Sequence, residues 1–135
     1  MPAFPETDPV LRLSDVRASR EELEAALGVA LFRYEAYRKR PGTYAQVNFR
    51  DGAHWDEIVA EMRRIGPALK RAVERGEIGQ PRLDVGIFLA EEGLPRSLVF
   101  PTQLCEALGR FGVELELSVY PFSEESEEVA ARTKD

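Results

Sequence analysis

Apolar residues recur along the chain at two spacings, one typical of helices and one typical of strands. From Trp55 to Val73 they recur every three or four residues with charged residues between them, which predicts one long amphipathic helix. Apolar and polar residues alternate over residues 82–89 and 113–120, and this predicts two strands that each turn one face toward a core. Because proline lacks an amide hydrogen, Gly66-Pro67 predicts a kink or a break in the long helix.

Shorter signals predict a first helix and a hairpin that follows it. Ser19 and Glu22 form a Ser-x-x-Glu capping box, and Gly28 is the glycine expected at the end of that helix. Residues 29–38 are rich in aromatic side chains and residues 43–50 alternate, while Arg-Pro-Gly between them is typical of a turn. We therefore expect these two segments to pair as a hairpin.

Two further segments complete the set of elements. Residues 10–13 form a short strand candidate, and a third helix follows Pro101, a residue that suits the first turn of a helix. Cys105 falls at an apolar position of this third helix, so we expect its side chain to be buried. The order of elements predicts the α+β class, with an antiparallel sheet of four to six strands and helices packed on one face.

Two segments of the chain resemble each other, and this bears on how the fold is organised. Residues 23–28 and 104–109 are both rich in Leu and Ala, both end in Gly, and both precede a predicted strand. A ferredoxin-like fold built from two related half-units would account for this similarity. We predict an N-terminal arm over residues 1–8, a single α+β domain over residues 9–122 and an acidic C-terminal tail over residues 123–135.

The composition narrows the class of protein. With 135 residues, 44% of them hydrophobic and 31% charged, the chain has the length and composition of one globular domain. Its single cysteine excludes a disulfide scaffold and a cysteine-based zinc finger. Because neutralising phosphates requires a cationic surface, the net charge of −6 argues against nucleic acid as the main partner.

The sequence also bears on compartment and cofactors. The first eight residues carry neither a basic residue nor an apolar run, and no apolar stretch has the length of a membrane-spanning helix. We therefore expect a cytoplasmic protein with no membrane partner. No glycine-rich phosphate loop leads from a strand into a helix, so we predict no nucleotide cofactor, and we predict no metal either.

Charge is distributed unevenly, and the basic part lies in the predicted hairpin. Residues 29–50 carry a net charge of +4, whereas residues 113–135 carry −5. Tyrosines lie between the arginines, a pattern typical of surfaces that bind an acidic protein, an anion or single-stranded nucleic acid. The candidate binding residues are Arg33, Tyr34, Tyr37, Arg38, Arg40, Tyr44 and Arg50. Alternatively, Glu114 and Glu116 neutralise these arginines across the sheet.

A second candidate site surrounds the only histidine. His54 lies in the segment Asp-Gly-Ala-His-Trp-Asp-Glu, and its candidate partners are Trp55, Asp56 and Glu57. Histidine beside carboxylates can serve as a general base or a metal ligand. These positions also lie at a helix N-terminus, where the helix dipole favours acidic residues without any catalytic role.

A third group of polar residues lies on the last predicted strand. Its even positions form a row of Glu114, Glu116, Ser118 and Tyr120, and Asp84 on another strand could neighbour this row. Paired carboxylates on a sheet face can do acid/base work. An exposed strand face would produce the same pattern.

The last third of the chain carries a helix entered through serine and proline and followed by a strand that ends in tyrosine. The residues of this pattern are Ser97, Leu98, Pro101, Leu104, Leu108, Gly112, Leu115, Leu117, Val119 and Tyr120. The pattern resembles the C-terminal signature of a bacterial family, the domain of unknown function 4279 family. The capped helix that ends at Gly28 looks similar as well, whereas a tryptophan-bearing strand typical of the family is not found before the long helix. The resemblance implies a fold and no reaction.

These observations favour a non-catalytic domain that binds another protein, with an immunity-type or adaptor role. The alternative is a small enzyme or ligand-binding domain with a site near His54. A homodimer formed through the edge of the sheet is a third hypothesis.

Overall fold

Five strands and three helices make up the fold in the computed structural model, which describes residues 7–50, 52–88 and 98–120. The strands are β1 (Thr7–Leu13), β2 (Arg33–Ala36), β3 (Thr43–Asn48), β4 (Arg82–Phe88) and β5 (Glu114–Tyr120). The helices are α1 (Arg20–Leu27), α2 (Trp55–Glu74) and α3 (Thr102–Phe111). The predicted α+β class is therefore confirmed.

The strands form one mixed sheet in the order β2-β3-β1-β4-β5. Three of the four pairings are antiparallel, and β4 pairs with β5 in parallel. The predicted number of strands is confirmed, and the sheet is mostly antiparallel as predicted, with one parallel pair at its β5 edge. Parallel strands need a crossover connection, and α3 lies in the chain between β4 and β5. A ferredoxin-like arrangement is not confirmed.

The hydrophobic core lies between one face of the sheet and the helices. The sheet contributes alternate residues such as Leu11, Leu83 and Val85, all fully buried, because successive side chains of a strand point to opposite faces. Helix α2 contributes a stripe that includes Ile58 and Met62, which are also fully buried. Burying each such side chain stabilises the fold by roughly 1.5–3 kcal/mol.

Helix α1 has the boundaries that the sequence predicts. The Ser19 hydroxyl accepts a hydrogen bond from the Glu22 amide at 3.2 Å and donates one to the Glu22 carboxylate at 3.0 Å. At the other end, Gly28 has a φ of +68° and its amide donates to the Glu24 carbonyl. This left-handed conformation favours glycine, so the capping box and the terminal glycine are both confirmed.

Helix α2 continues through Gly66 and Pro67 as one element of 20 residues. Of the kink or break that the sequence predicts there, the break does not occur. Residues on either side of the proline, Ile65 and Leu69, are buried in the core, and their packing holds the helix together although Pro67 can donate no backbone hydrogen bond. Gly66 allows α2 and α3 to pack closely, because a Cβ at position 66 would lie 2.2 Å from Cδ2 of Phe111 on α3.

The alternating residues of β5 are less covered than their pattern predicts. Leu115, Leu117 and Val119 share the helix-facing side of the sheet with β4 residues of the core, yet they are 39%, 44% and 43% exposed. The expectation that these odd positions face a core is therefore only partly met. Strand β5 lies at the edge of the sheet, where the helix layer covers its apolar side chains incompletely.

Three smaller expectations need correction. Strand β1 begins within the predicted arm, because Thr7 and Asp8 pair with Ile87 and Gly86 of β4. Cys105 is exposed, since α3 turns Leu104, Ala107, Leu108 and Phe111 inward and position 105 lies outside this stripe. Pro101 precedes α3 as its N-cap residue instead of lying in the first turn.

The predicted acidic tail over residues 123–135 lies outside the described residues. Among the helices that the structure describes, none combines the length and the apolar character that crossing a membrane requires.

Candidate functional site

The loop between β2 and β3, residues 37–42, is the part of the hairpin that projects from the sheet, and we call it the basic loop. Its conformation is fixed by Tyr37, whose amide donates to the Gly42 carbonyl and whose hydroxyl accepts from the Asp15 amide, both at 3.1 Å. The Arg40 guanidinium lies 3.9 Å from the centre of the Tyr37 ring and also pairs with the Asp15 carboxylate at 3.2 Å. The loop is thus anchored to the segment that follows β1.

Arg38 and Lys39 form the tip of the basic loop. Both side chains are exposed, and within the part of the chain that the structure describes neither makes a hydrogen bond or an ion pair. Arg40, by contrast, is partly neutralised by Asp15. The basic loop therefore presents two cations that no carboxylate of the described residues balances.

The other candidate residues of the hairpin do not join this tip in one surface. Tyr34 lies on the helix side of the sheet, packs against the core and donates its hydroxyl to the Ala18 carbonyl at 2.7 Å. Arg33 lies on the opposite side, where its guanidinium is 3.9 Å from the Glu35 carboxylate. Arg50 bonds to the Glu57 carboxylate at the start of α2. These three residues have structural partners, so sequence reasoning grouped side chains that point in different directions.

Tyr44 belongs to a chain of hydrogen bonds on the face of the sheet opposite the helices. Its hydroxyl accepts from Nη1 of Arg12 at 2.6 Å and donates to Oε1 of Gln46 at 2.7 Å. The same arginine donates from Nε to the Asp84 carboxylate at 3.0 Å, and the Ser118 hydroxyl donates to the other oxygen of Asp84 at 2.7 Å. We call these five residues the sheet-face network, and they link β3, β1, β4 and β5.

Burial makes the partners of the sheet-face network necessary for its stability and shifts the pKa values of two of its members. Asp84 is only 4% exposed, and a carboxylate removed from water is tolerated only when charged or hydrogen-bonding partners surround it. Burial raises the pKa of Tyr44 above its ordinary value, although the neighbouring Arg12 opposes this. Burial works to lower the pKa of Arg12, but Tyr44 and Asp84 outweigh it and raise that pKa.

Sequence reasoning found part of this network. The expectation that Asp84 neighbours the polar row of the last strand is confirmed by its bond to Ser118. Arg12 and Gln46 were missed, because their roles depend on which strands pair. A signal was present in the sequence all the same, since Arg12 and Asp84 are charged residues placed inside otherwise apolar strands.

The sheet order rules out neutralisation of the basic hairpin by the last strand. Strands β2 and β5 are at opposite edges of the sheet, so Glu114 and Glu116 lie far from the hairpin arginines. Both carboxylates pair instead with Arg82 on the adjacent strand, at 3.2 Å and 3.7 Å. That alternative is therefore wrong for Glu114 and Glu116.

His54 is the N-cap residue of α2. Its Nδ1 accepts a hydrogen bond from the Asp56 amide at 3.3 Å, and its carbonyl accepts from the amides of Glu57 and Ile58. Helices begin with backbone amides that lack partners inside the helix, and a side-chain acceptor satisfies one of them. The histidine nitrogen that could act as a base is thus engaged in starting the helix.

The remaining residues of the second candidate site also have separate positions. Trp55 is buried, and its ring packs at 5.4 Å from that of Phe100. The Asp56 side chain is 95% exposed, whereas Glu57 bonds to Arg50, which lowers the pKa of the Glu57 carboxyl. Among the described residues, which exclude Asp51, no three His, Cys, Asp or Glu side chains are grouped so that they could hold a metal ion.

Comparison with known proteins finds no relative of this chain. No protein-family model matches the chain, and no match was found among curated proteins or among solved structures. The resemblance described above therefore depends on the helix–strand pattern that carries it.

Proposed function

We propose that the protein is a non-catalytic protein-binding domain of the immunity or adaptor type that acts in the bacterial cytoplasm. Its binding element is the basic loop, and the partner contributes an acidic segment. The observation that carries this proposal is that Arg38 and Lys39 are exposed and have no partner in the described part of the chain. They differ in this from Arg50 and Arg82, which already pair with carboxylates.

The anchoring of the basic loop supports a binding role. Ordering a loop when a partner binds costs conformational entropy, and a loop already held by internal bonds avoids most of that cost. Tyr37 and Arg40 supply those bonds through Asp15. The backbone that carries the tip cations is therefore held in place before a partner arrives.

The charge of the rest of the molecule supports the choice of partner. The chain carries a net charge of −6, so an acidic protein is repelled by most of the surface and attracted at the basic loop. Such a distribution guides the orientation of approach and discriminates against other orientations. An acidic segment on a partner protein is thus the chemistry that this loop fits.

The alternative, a site for catalysis or ligand binding near His54, has less support from the geometry. His54 caps α2, Trp55 packs in the core and Glu57 pairs with Arg50. These contacts account for the three residues as parts of the fold, and they favour the binding proposal.

The test is a charge reversal at the tip of the basic loop. The double variant Arg38→Glu and Lys39→Glu is expected to lose the partner proteins that the wild-type chain retains from lysate of its host, quantified by mass spectrometry. Binding of an oligoglutamate peptide, followed by amide NMR shifts, is expected to perturb residues 37–42 of the wild-type protein and to weaken with added salt.

A matched control carries the same change of charge elsewhere. Arg63→Glu with Lys70→Glu alters two exposed residues of α2 and is expected to retain the partners. Equal loss of partners in both double variants would show that net charge alone decides binding and would refute a role for the basic loop. Peptide-induced shifts located away from residues 37–42 would do the same.

A further inference from the structure

The outer edge of β5 is one of the two sheet edges that the described strands leave unpaired. Strand β5 pairs with β4 on one side only, and no described strand lies on its other side. Its seven residues contain neither glycine nor proline, so nothing in its sequence interrupts an extended edge. Backbone amides and carbonyls at such an edge can pair with a further strand.

The opposite edge of the sheet is shorter. Strand β2 has four residues, and short edge strands are a common device against unwanted pairing. Strand β5 has seven residues, and on its helix-facing side Leu115, Leu117 and Val119 remain about two-fifths exposed.

We propose that a second copy of this chain pairs with β5 in antiparallel orientation about a two-fold axis at Leu117. In this register Leu117 lies opposite Leu117 of the second copy, and Leu115 lies opposite Val119. All seven residues of each strand are then paired. Residues directly opposite in a sheet have Cβ atoms about 4.5–5.5 Å apart, so the half-exposed apolar rows of the two copies cover each other.

The charges on the other face of β5 agree with the same register. Glu116 lies opposite Ser118 of the second copy, and Glu114 lies opposite Tyr120, so neither carboxylate faces another carboxylate. A two-fold axis at Glu116 would place that glutamate opposite itself, and an axis at Leu115 would bring Glu114 opposite Glu116. Like charges directly opposite are destabilising, which favours the axis at Leu117.

The resulting assembly is a continuous sheet of ten strands. A two-fold axis perpendicular to the sheet keeps the helices of both copies on the same side, so the apolar rows meet beside the two helix layers. This dimer goes beyond the proposed function, because it uses the β5 edge and leaves β2 with the basic loop at the outer ends of the sheet. Loss of the dimer and loss of partner binding can therefore be observed separately.

Mass measurement by light scattering over a wide range of protein concentration is the first test. The wild-type chain is expected to approach twice its mass of 15.2 kDa. Leu117→Lys places two ammonium groups face to face at the axis and is expected to give the monomer mass. Phe32→Lys introduces the same side chain at an exposed position beside β2, at the opposite edge, and is expected to leave the dimer intact.

Cysteine cross-linking tests the register and does not depend on whether Leu117→Lys folds. In a Cys105→Ser background, Leu117→Cys is expected to form a disulfide between two copies, because its Cα atoms lie opposite each other at the axis. Two Leu115→Cys chains are not expected to cross-link to each other, because position 115 of one copy lies about 14 Å along the strand from position 115 of the other. A mixture of Leu115→Cys and Val119→Cys chains is expected to cross-link.

Several results would overturn the proposal. A wild-type mass near that of one chain at every concentration would exclude the dimer, even if β5 accepted a strand from another protein. Equal cross-linking of Leu115→Cys and Leu117→Cys would exclude the register. A dimer that survives Leu117→Lys but not Phe32→Lys would place the interface at the wrong edge of the sheet.

Discussion

At the scale of single residues, His54 shows that a side chain capable of acid–base chemistry can instead cap a helix. Its Nδ1 accepts from the Asp56 amide, which is the hydrogen bond of an N-cap residue. Replacing an N-cap side chain by alanine costs about 0.5–2 kcal/mol. We expect His54→Ala to lower the free energy of unfolding by that amount, as measured by denaturant titration.

The matched variants for this position are His54→Ser and His54→Asn. Both keep a side-chain acceptor of the kind preferred at N-caps, so we expect them to equal or exceed the wild-type stability. Stability lost equally in the alanine, serine and asparagine variants would show that the imidazole ring has another role. Retained stability in all three would contradict capping by His54.

Single residues also show how far local sequence signals reach. Ser19, Glu22 and Gly28 were assigned correctly because each acts within one turn of its own helix. His54 was not recognised as a cap because histidine is not among the residues preferred there. Cys105 was misplaced because it lies beside the buried stripe of α3, where spacing alone does not separate the boundary from the core.

At the scale of elements, the close contact between α2 and α3 leads to a prediction about the stability of a Gly66 variant. A Cβ at Gly66 would lie 2.2 Å from the Phe111 ring, which is itself buried. We expect Gly66→Ala to destabilise the protein by about 1–3 kcal/mol, as overpacking in a core does. The measurement is thermal or denaturant unfolding.

Gly109 provides the control, because it lies within α3 and a Cβ there would have no neighbour within 4 Å. We expect Gly109→Ala to stabilise the protein by about 0.4–1 kcal/mol through the unfolded state. In a Phe111→Leu background the cost of Gly66→Ala is expected to shrink, because the two positions are in contact. An unchanged cost would show that the clash with Phe111 is not its cause.

The elements themselves were largely predictable from the sequence. The stripe of α2 and the alternation of β4 and β5 are local patterns that tertiary structure did not override. Of the kink or break predicted at Pro67, the break is wrong, since burial on both sides of the proline maintains the helix. Local preference thus indicates where a helix is weakened, while packing decides whether it breaks.

At the scale of the whole molecule, the sheet-face network makes global stability depend on pH. Burial raises the pKa of Tyr44 in the folded protein, whereas an unfolded tyrosine ionises near pH 10. Above that pH the unfolded chain binds fewer protons than the folded one, so the free energy of unfolding falls as the pH rises. We expect this alkaline loss of stability in denaturant titrations of the wild-type protein.

Tyr44→Phe removes the ionisable group and is the variant that isolates its effect. At neutral pH we expect it to be less stable by about 1.5–3 kcal/mol, because Arg12 and Gln46 lose a hydrogen-bond partner. Above pH 10 the difference between wild type and variant should narrow. Stabilities that stay parallel over the alkaline range would contradict a raised pKa of Tyr44.

The arrangement of the whole sheet was the least predictable level. The sequence of β5 does not indicate that this strand pairs with β4 in parallel or that it lies at an edge, because pairing joins residues far apart in the chain. The candidate hairpin surface was predicted as one group for the same reason. Only the strand order shows that Tyr34 faces the helices, that Tyr44 joins the sheet-face network, and that Arg38 remains free of the acidic last strand.

The parallel pairing of β4 with β5 has a consequence for the order of events during folding. Contacts between β1, β3 and β4 can form from the first 88 residues, whereas β5 can add only after the chain has passed through α3. Pairing strands that lie far apart in the chain is slow compared with local helix formation, because the loop-closure entropy must be lost before the strand contacts form. Strand β5 is therefore expected to be the last of the five strands to join the sheet.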